Sequence, residues 1–300
     1  MFFWEHRADG KSYMSMPVMP VLKRGHLICG WWERNIYRVE RVLGRGGTAH
    51  VYLVRDTRGA LKAMKISPDR VGVTHEHRIL RLLNQAEGGT KQSVVPQVYE
   101  LDDVFIENTV YHYIITQFCP GTDLAKCLGR LAIPDVLAIG VQIARFLSCL
   151  HSSGFVYGDL KPGNVVYDPR AKTVHIVDYG SVSIKGNGLH QYTPGYDRAS
   201  WQAGTRMADE KFDIFSLGML LALLIMGKVS RRDNGGLAGL TARVSRRIRP
   251  GPLRHIILGA FRQDISDCLE IALKLELLMK ETDDYFRTGL LLPVKNVPEP

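Results

Sequence analysis

The segment Tyr157-Gly158-Asp159-Leu160-Lys161-Pro162-Gly163-Asn164 sets an acid, a cation and an amide close together, and Asp178-Tyr179-Gly180 follows 19 residues after Asp159. A carboxylate beside an attacking hydroxyl, with oxygen ligands for a hard divalent cation, is what phosphoryl transfer requires. Asp159 suits the first role; Asn164 and Asp178 suit the second as metal ligands. Lys161, two residues from the acid, can neutralise charge on the moving group. An ordinary turn before a hairpin would not gather four such roles at these spacings.

Two upstream features extend the pattern. Gly44-Arg45-Gly46-Gly47-Thr48-Ala49 lies between two strand-like runs, where glycines let backbone N–H groups approach phosphate oxygens. Taken alone, a plain hairpin turn explains it equally well. The strand pattern His50–Val54 that follows disfavours a dinucleotide-binding loop, and no Gly-Lys-Ser/Thr completes a Walker A. Lys65 ends Ala63-Met64-Lys65, and Glu76 follows 11 residues later on a predicted helix. A strand lysine fixed by a helix carboxylate can hold nucleotide phosphates.

The elements that must position these residues are legible as patterns. Tyr37–Gly44, His50–Asp56 and Ala60–Ile66 read as short strands, with Arg58-Gly59 at a hairpin turn. Thr74 is placed to cap a helix through Leu83, and Gln97–Leu101 and Tyr111–Phe118 read as further strands. After Pro120-Gly121 the period becomes helical: Pro134–His151 carries apolar residues at 137, 141, 144, 147 and 150. Short strands are expected near Val165–Tyr167 and Val174–Val177, and helices over Lys211–Met226 and Ser266–Lys280. The fold class is therefore α+β: a mainly β N-lobe, residues 37–117, and a mainly α C-lobe, residues 118–282. Residues 1–36 form an extension, irregular through 34 and partly packed through Trp31 and Trp32; residues 283–300 form a tail.

The 300 residues, 45% hydrophobic and 23% charged, exclude a disordered, collagenous or disulfide-stapled chain. Five scattered cysteines with no CxxC pair signal neither a zinc ribbon nor a disulfide framework. The N-terminus lacks the order of a signal peptide, and the longest apolar run, Ile214–Met226, falls short of the roughly 20 residues that span a bilayer. The expectation is a cytoplasmic protein with no transmembrane segment. Of the formal net charge of +9, nearly all lies in residues 228–262, where nine Lys or Arg face one acid, Asp233. Gly235, Gly236 and Gly239 there suggest a flexible loop, with Arg231, Arg232, Arg243, Arg246, Arg247 and Arg249 free to follow a polyanion, DNA first and an acidic protein surface second. A solvated basic face remains the bland reading.

In their order, these motifs resemble the bacterial members of the eukaryotic-like Ser/Thr protein kinases, over residues 37–282. The resemblance implies a two-lobed fold, ATP with Mg²⁺ or Mn²⁺, protein substrates, and Asp159, Lys161, Lys65 and Glu76 as catalytic residues. It places Gly44, Gly46, Gly47, Ala49, Val51, Ala63, Lys65, Thr116, Gln117 and Cys119 at the nucleotide, with Thr116 as gatekeeper and Gln117–Cys119 as the adenine-binding hinge. It makes Asp213 a brace for the catalytic loop, Ala208-Asp209-Glu210 the counterpart of the Ala-Pro-Glu motif, and Thr205 a neighbour of Asp159. Tyr196-Asp197-Arg198, Trp201 and Gly204-Thr205-Arg206 are similar to a small sporulation-associated, DNA-responsive subgroup. Two departures stand out. Ala49 replaces the usual third loop glycine, and Tyr157-Gly158 replaces His-Arg, which removes the guanidinium a phosphorylated loop would pair with. Loop phosphorylation is therefore not expected to be the main on-switch. A pseudokinase scaffold on nucleic acid and an aminoglycoside- or choline-type small-molecule kinase remain as alternatives; dimerisation is open.

Overall fold

The computed structural model describes residues 4–6, 12–14, 19–86, 94–189, 192–201, 206–229, 235–249 and 251–288. The chain divides into two compact units, residues 1–120 with 175–180, and residues 121–174 with 181–300.

The first unit holds a two-stranded hairpin, β1 (Trp4–His6) and β2 (Ser12–Met14), and a six-stranded antiparallel sheet. Its strands are β3 (Leu27–Cys29), β4 (Ile36–Arg45), β5 (His50–Asp56), β6 (Leu61–Ser67), β7 (Val98–Ile106) and β8 (Thr109–Gln117), in the order β3-β4-β5-β6-β8-β7. Because side chains alternate along a strand, this register splits the sheet into two chemically different faces. Tyr37, Val39, Tyr52, Val54, Met64, Ile66, Tyr113 and Ile115 share one face and form a buried core, closed from outside by Leu22 and Ile28. The face opposite carries Val51 across from both Gly44 and Lys65, and Ala63 across from Thr116.

Helix α1 runs over Arg70–Ala86, starting four residues before the expected Thr74. Asp69 accounts for the difference, because its carboxylate accepts a hydrogen bond from the Gly72 N–H at 3.0 Å and so caps the first turn. Residues 19–35 are not the irregular extension expected. They supply β3, and Trp31 and Trp32 are 53% and 70% exposed rather than packed. Attachment comes instead from two acids on β7. Asp102 accepts from the backbone N–H groups of Trp32 and Glu33, while Glu100 accepts from Asn35, Tyr37 and Tyr113.

The second unit is mainly helical: α2 (Ile133–Ser152), α3 (Glu210–Met226), α4 (Gly236–Arg247), α5 (Gly251–Arg262) and α6 (Cys268–Thr288). Short strands β9 (Thr122–Asp123) and β11 (Val165–Asp168) pair antiparallel, as do β10 (Phe155–Val156) and β13 (Ser183–Ile184); β12 (Thr173–Ile176) continues the sheet of β11. Helix α3 is buried on all sides, which explains its unbroken apolar run. It crosses α5 at Gly218, where an added Cβ would sit 2.7 Å from the Ala260 Cβ. Helix α2 approaches α6 and α3 at Gly140, where a Cβ would meet Leu275 at 2.8 Å and Leu221 at 2.9 Å. By length and composition alone α2 could cross a membrane, a feature the apolar-run reading passed over. Its residues Val136, Leu137, Ile139, Ile143, Ala144 and Leu147 are buried in this helical core.

The basic segment differs most from expectation. Residues 236–247 and 251–262 are helices, and Gly239 lies inside one of them. Leu240 and Val244, one helical turn apart, are buried with Ile248 and anchor α4. Arg246, Arg247 and Arg249 are exposed and Arg243 is half-buried; Arg231 and Arg232 lie outside the described residues.

Candidate active site

Each unit presents its own constellation. In the first, the β4–β5 hairpin closes with the Gly46 N–H donating to the Ala49 carbonyl at 2.8 Å. An added Cβ at Gly44 or Gly47 would meet nothing, and neither residue has the left-handed backbone that demands glycine. Neither packing nor strain requires glycine at these two positions, and their backbone stands open. Ala49 is buried, so its methyl is taken up by the unit. Ser67 Oγ donates to the Thr48 carbonyl at 2.6 Å and ties the loop to β6.

On the same sheet face, Lys65 Nζ donates to Glu76 Oε2 at 2.6 Å and to Asp178 Oδ1 at 3.0 Å. Burial alone would lower the lysine pKa, but the two carboxylates more than reverse this, so the ammonium is held charged. Glu76 is buried, and its Oε1 also accepts from the Tyr179 N–H at 3.3 Å. The Gly180 N–H donates to Asp178 Oδ1 at 3.1 Å. Thr116 lies across from Ala63, and the Gln117 N–H donates to the Gln97 carbonyl at 2.7 Å. The Cys119 side chain turns inward, where burial pushes its thiol up to about 12. A separate open cavity of about 650 Å³ lies between α1 and β7, lined by His77, Arg81 and Tyr99 among others.

In the second unit the loop after β10 is held from beneath by Asp213 of α3, which is fully buried. Its Oδ2 accepts from the Tyr157 N–H at 2.7 Å and its Oδ1 from the Gly158 N–H at 2.9 Å, with His151 Nε2 2.9 Å from Oδ2. Gly158 has φ +79°, and a Cβ would lie 2.9 Å from Leu189. That crowding and backbone explain why no arginine stands at this position.

Above this brace, Asp159 Oδ2 accepts from Lys161 Nζ at 2.6 Å and from Asn164 Nδ2 at 3.2 Å, while Asn164 Nδ2 also donates to the Asp159 carbonyl at 3.0 Å. Asp159 Oδ1 is buried and has no hydrogen-bond partner among the described residues. A buried carboxylate oxygen without a donor costs free energy unless a ligand supplies one. Lys161 Nζ also donates to Thr193 Oγ1 at 2.6 Å. Tyr196 has its pKa raised by burial and by the charges of Asp159 and Asp123.

In the second unit Asn164 engages its amide through Nδ2 and leaves its carbonyl oxygen as a hard donor; in the first unit Asp178 presents a carboxylate. Each by itself is an oxygen donor of the type that hard divalent cations take. No group of three or more His, Cys, Asp or Glu that could hold a metal occurs among the described residues.

Thr205, the expected neighbour of Asp159, lies outside the described residues; among those described, the hydroxyl that meets Lys161 belongs to Thr193. The Ala208-Asp209-Glu210 stretch leads into α3. Asp209 caps α3 through the Lys211 N–H, and Glu210, in its first turn, pairs with Lys185 at 2.7 Å near the surface. The buried acid of this stretch is Asp197, 1% exposed. Thr193 and His151 were not singled out in the sequence, and Asp197 and Arg206 entered only through the subgroup pattern, without a structural role.

The family model described as "Protein kinase domain" matches residues 37–247. The chain is 29% identical over 215 residues to the serine/threonine-protein kinase YabT of Bacillus subtilis, covering 71% of this chain and 62% of that protein. It is 24% identical over 205 residues to the serine/threonine-protein kinase PrkC of the same organism, covering 64% and 31%. The chain thus spans less than two thirds of the length of these curated relatives. Among solved structures, vaccinia related kinase 3 matches with TM-score 0.66 at 13% identity, covering 88% of this chain and 94% of the other, which is a likeness of fold.

Proposed function

The chain belongs to the protein kinase family, and from that premise we propose that it is an ATP-dependent serine/threonine protein kinase acting on protein hydroxyls. The observation that carries this reading is the buried Oδ1 of Asp159, without a hydrogen-bond partner among the described residues, on a carboxylate whose other oxygen is fixed by Lys161 and Asn164. Asp159 receives the hydrogen bond of the acceptor hydroxyl, orients it and takes its proton. The hydroxyl oxygen bonds to the γ-phosphorus as the bond to the ADP oxygen breaks, and Lys161 offsets charge on the moving group. Lys65 and the amides of Gly44–Ala49 hold phosphates, and Val51, Ala63, Thr116, Gln117 and Cys119 surround the base. Mg²⁺ or Mn²⁺ fits the oxygen donors of Asn164 and Asp178 and, when bound, supplies charge neutralisation on phosphate oxygens. Preorganised positioning and electrostatics provide most of the rate.

Regulation by a polyanion, DNA first, belongs to the same proposal, as does a place in the sporulation-associated, DNA-responsive subgroup and a cytoplasmic setting. What supports the DNA reading is that Arg243, Arg246, Arg247 and Arg249 form no ion pair among the described residues. Autophosphorylation measured with and without duplex DNA across a salt series tests both parts. Activity should rise with DNA and the increment should fade steeply between low and moderate salt, because counterion release drives such binding. Activity unchanged by DNA at every salt concentration removes the regulatory part. Transfer to aminoglycoside or choline but never to protein, or no transfer at all, removes the kinase reading.

A further inference from the structure

Residues 192–201 and Arg206 carry a set of contacts that the catalytic argument does not use. Asp197 is 1% exposed, and a carboxylate so deeply buried needs a cation and several donors. Its donors are the Arg206 Nε–H at 3.1 Å, the Ser200 N–H at 3.0 Å and the Ser200 hydroxyl at 2.5 Å. The same guanidinium lies over the Tyr192 ring, 4.4 Å from its centroid. Trp201 Nε1 donates to the Gly195 carbonyl at 2.8 Å, and Ser216 Oγ of α3 donates to the Tyr196 carbonyl at 2.9 Å. Arg206 thus grips the 192–201 turn at two points, Tyr192 through its ring and Asp197 through its charge. Thr193, adjacent to Tyr192, accepts from Lys161, which in turn donates to Asp159.

We propose that Arg206 is a positioning residue: its clamp on Asp197 and Tyr192 holds the 192–201 turn in the form that seats Thr193 on Lys161, and does so without a phosphate. The proposal rests on the kinase reading for its effect on rate, but not for its effect on order. Asp197 is the anion that the clamp needs, built into the chain. Gly158, which cannot pair with a phosphate, agrees with an ordering device of this internal kind. The connection to catalysis runs through Lys161, so the clamp acts on turnover and not on nucleotide affinity.

The test compares wild type, Arg206→Gln, the double variant Arg206→Gln/Asp197→Asn, which removes the unpaired buried charge, and Tyr192→Ala against Tyr192→Phe. Hydrogen exchange of the 192–201 amides reads order directly, whatever the activity. Exchange should quicken at least about tenfold in Arg206→Gln and in Tyr192→Ala, and return toward wild type in Tyr192→Phe, which keeps the ring. In steady-state assays on protein shown by mass spectrometry to be unphosphorylated, wild type should stay active. There kcat should fall about tenfold or more in Arg206→Gln and in the double variant, with KM for ATP within about twofold. Unchanged protection in all folded variants overturns the clamp, as does wild type that loses activity when stripped of phosphate. Quickened exchange in the variants of a chain whose wild type transfers no phosphate would leave the clamp standing and remove the kinase reading instead.

Discussion

The two constellations solve opposite electrostatic problems. In the first unit Lys65 is doubly paired: two carboxylates lie within 3.0 Å of its Nζ, and Glu76 is buried against it. In the second unit Asp159 is incomplete, with Oδ2 occupied and Oδ1 buried without a donor among the described residues. A closed ion network resists change and so contributes to the stability of its unit. An open one stores a cost that a substrate hydroxyl removes, and so contributes to chemistry. Function and stability should therefore separate between the units.

The largest expected effect is Asp159→Asn, which should lower phosphoryl transfer about a thousandfold while leaving the unfolding midpoint within error. A large loss of stability instead would place Asp159 among structural acids. Lys65→Met should damage both properties. Removing one partner of a buried pair costs about 3 kcal/mol or more, and transfer should fall with it. Normal stability in Lys65→Met would show that Glu76 does not depend on the lysine. Gly44→Ala and Gly47→Ala sharpen the contrast from the other side, since an added methyl meets open space. Stability should change by no more than about 0.5 kcal/mol, whereas KM for ATP should rise roughly tenfold, about 1.4 kcal/mol. Unchanged KM would make the loop a plain turn.

The smallest effect concerns the hinge thiol. Burial holds Cys119 neutral up to about 12, above its ordinary value of 9.0. The unfolded thiol ionises first, so the folded state binds the extra proton between those limits and loses stability as pH rises through them. The loss attributable to this group approaches about 1.4 kcal/mol per pH unit. Cys268 is also raised by burial, so denaturation midpoints at pH 8 and pH 10 should diverge in both proteins but by less in Cys119→Ala than in wild type. Equal shifts in both proteins would assign the alkaline sensitivity elsewhere.

What could be seen in the sequence follows from how local each contact is. Asp159, Lys161 and Asn164 meet because six residues of loop bring them together, so their spacing announced them. Lys65 and Glu76 were legible because a strand and the helix after it return on each other. Thr193 and Arg206 were not, because their partners Lys161 and Asp197 lie 32 and nine residues away through irregular backbone. Asp102 was equally invisible, since a strand acid that accepts backbone N–H groups 69 and 70 residues earlier leaves no period. The glycines of the basic segment misled for another reason: Leu240 and Val244 bury one side of α4, and that packing outweighs the low helix propensity of Gly239.

The most direct measurement is single-turnover transfer of labelled γ-phosphate from ATP to a protein hydroxyl, in wild type and in Asp159→Asn of matched thermal stability. The account predicts label on Ser or Thr in wild type and its loss, by about a thousandfold in rate, in the variant. Equal rates in the two proteins, or no transfer by wild type under any nucleotide and divalent cation, would contradict it.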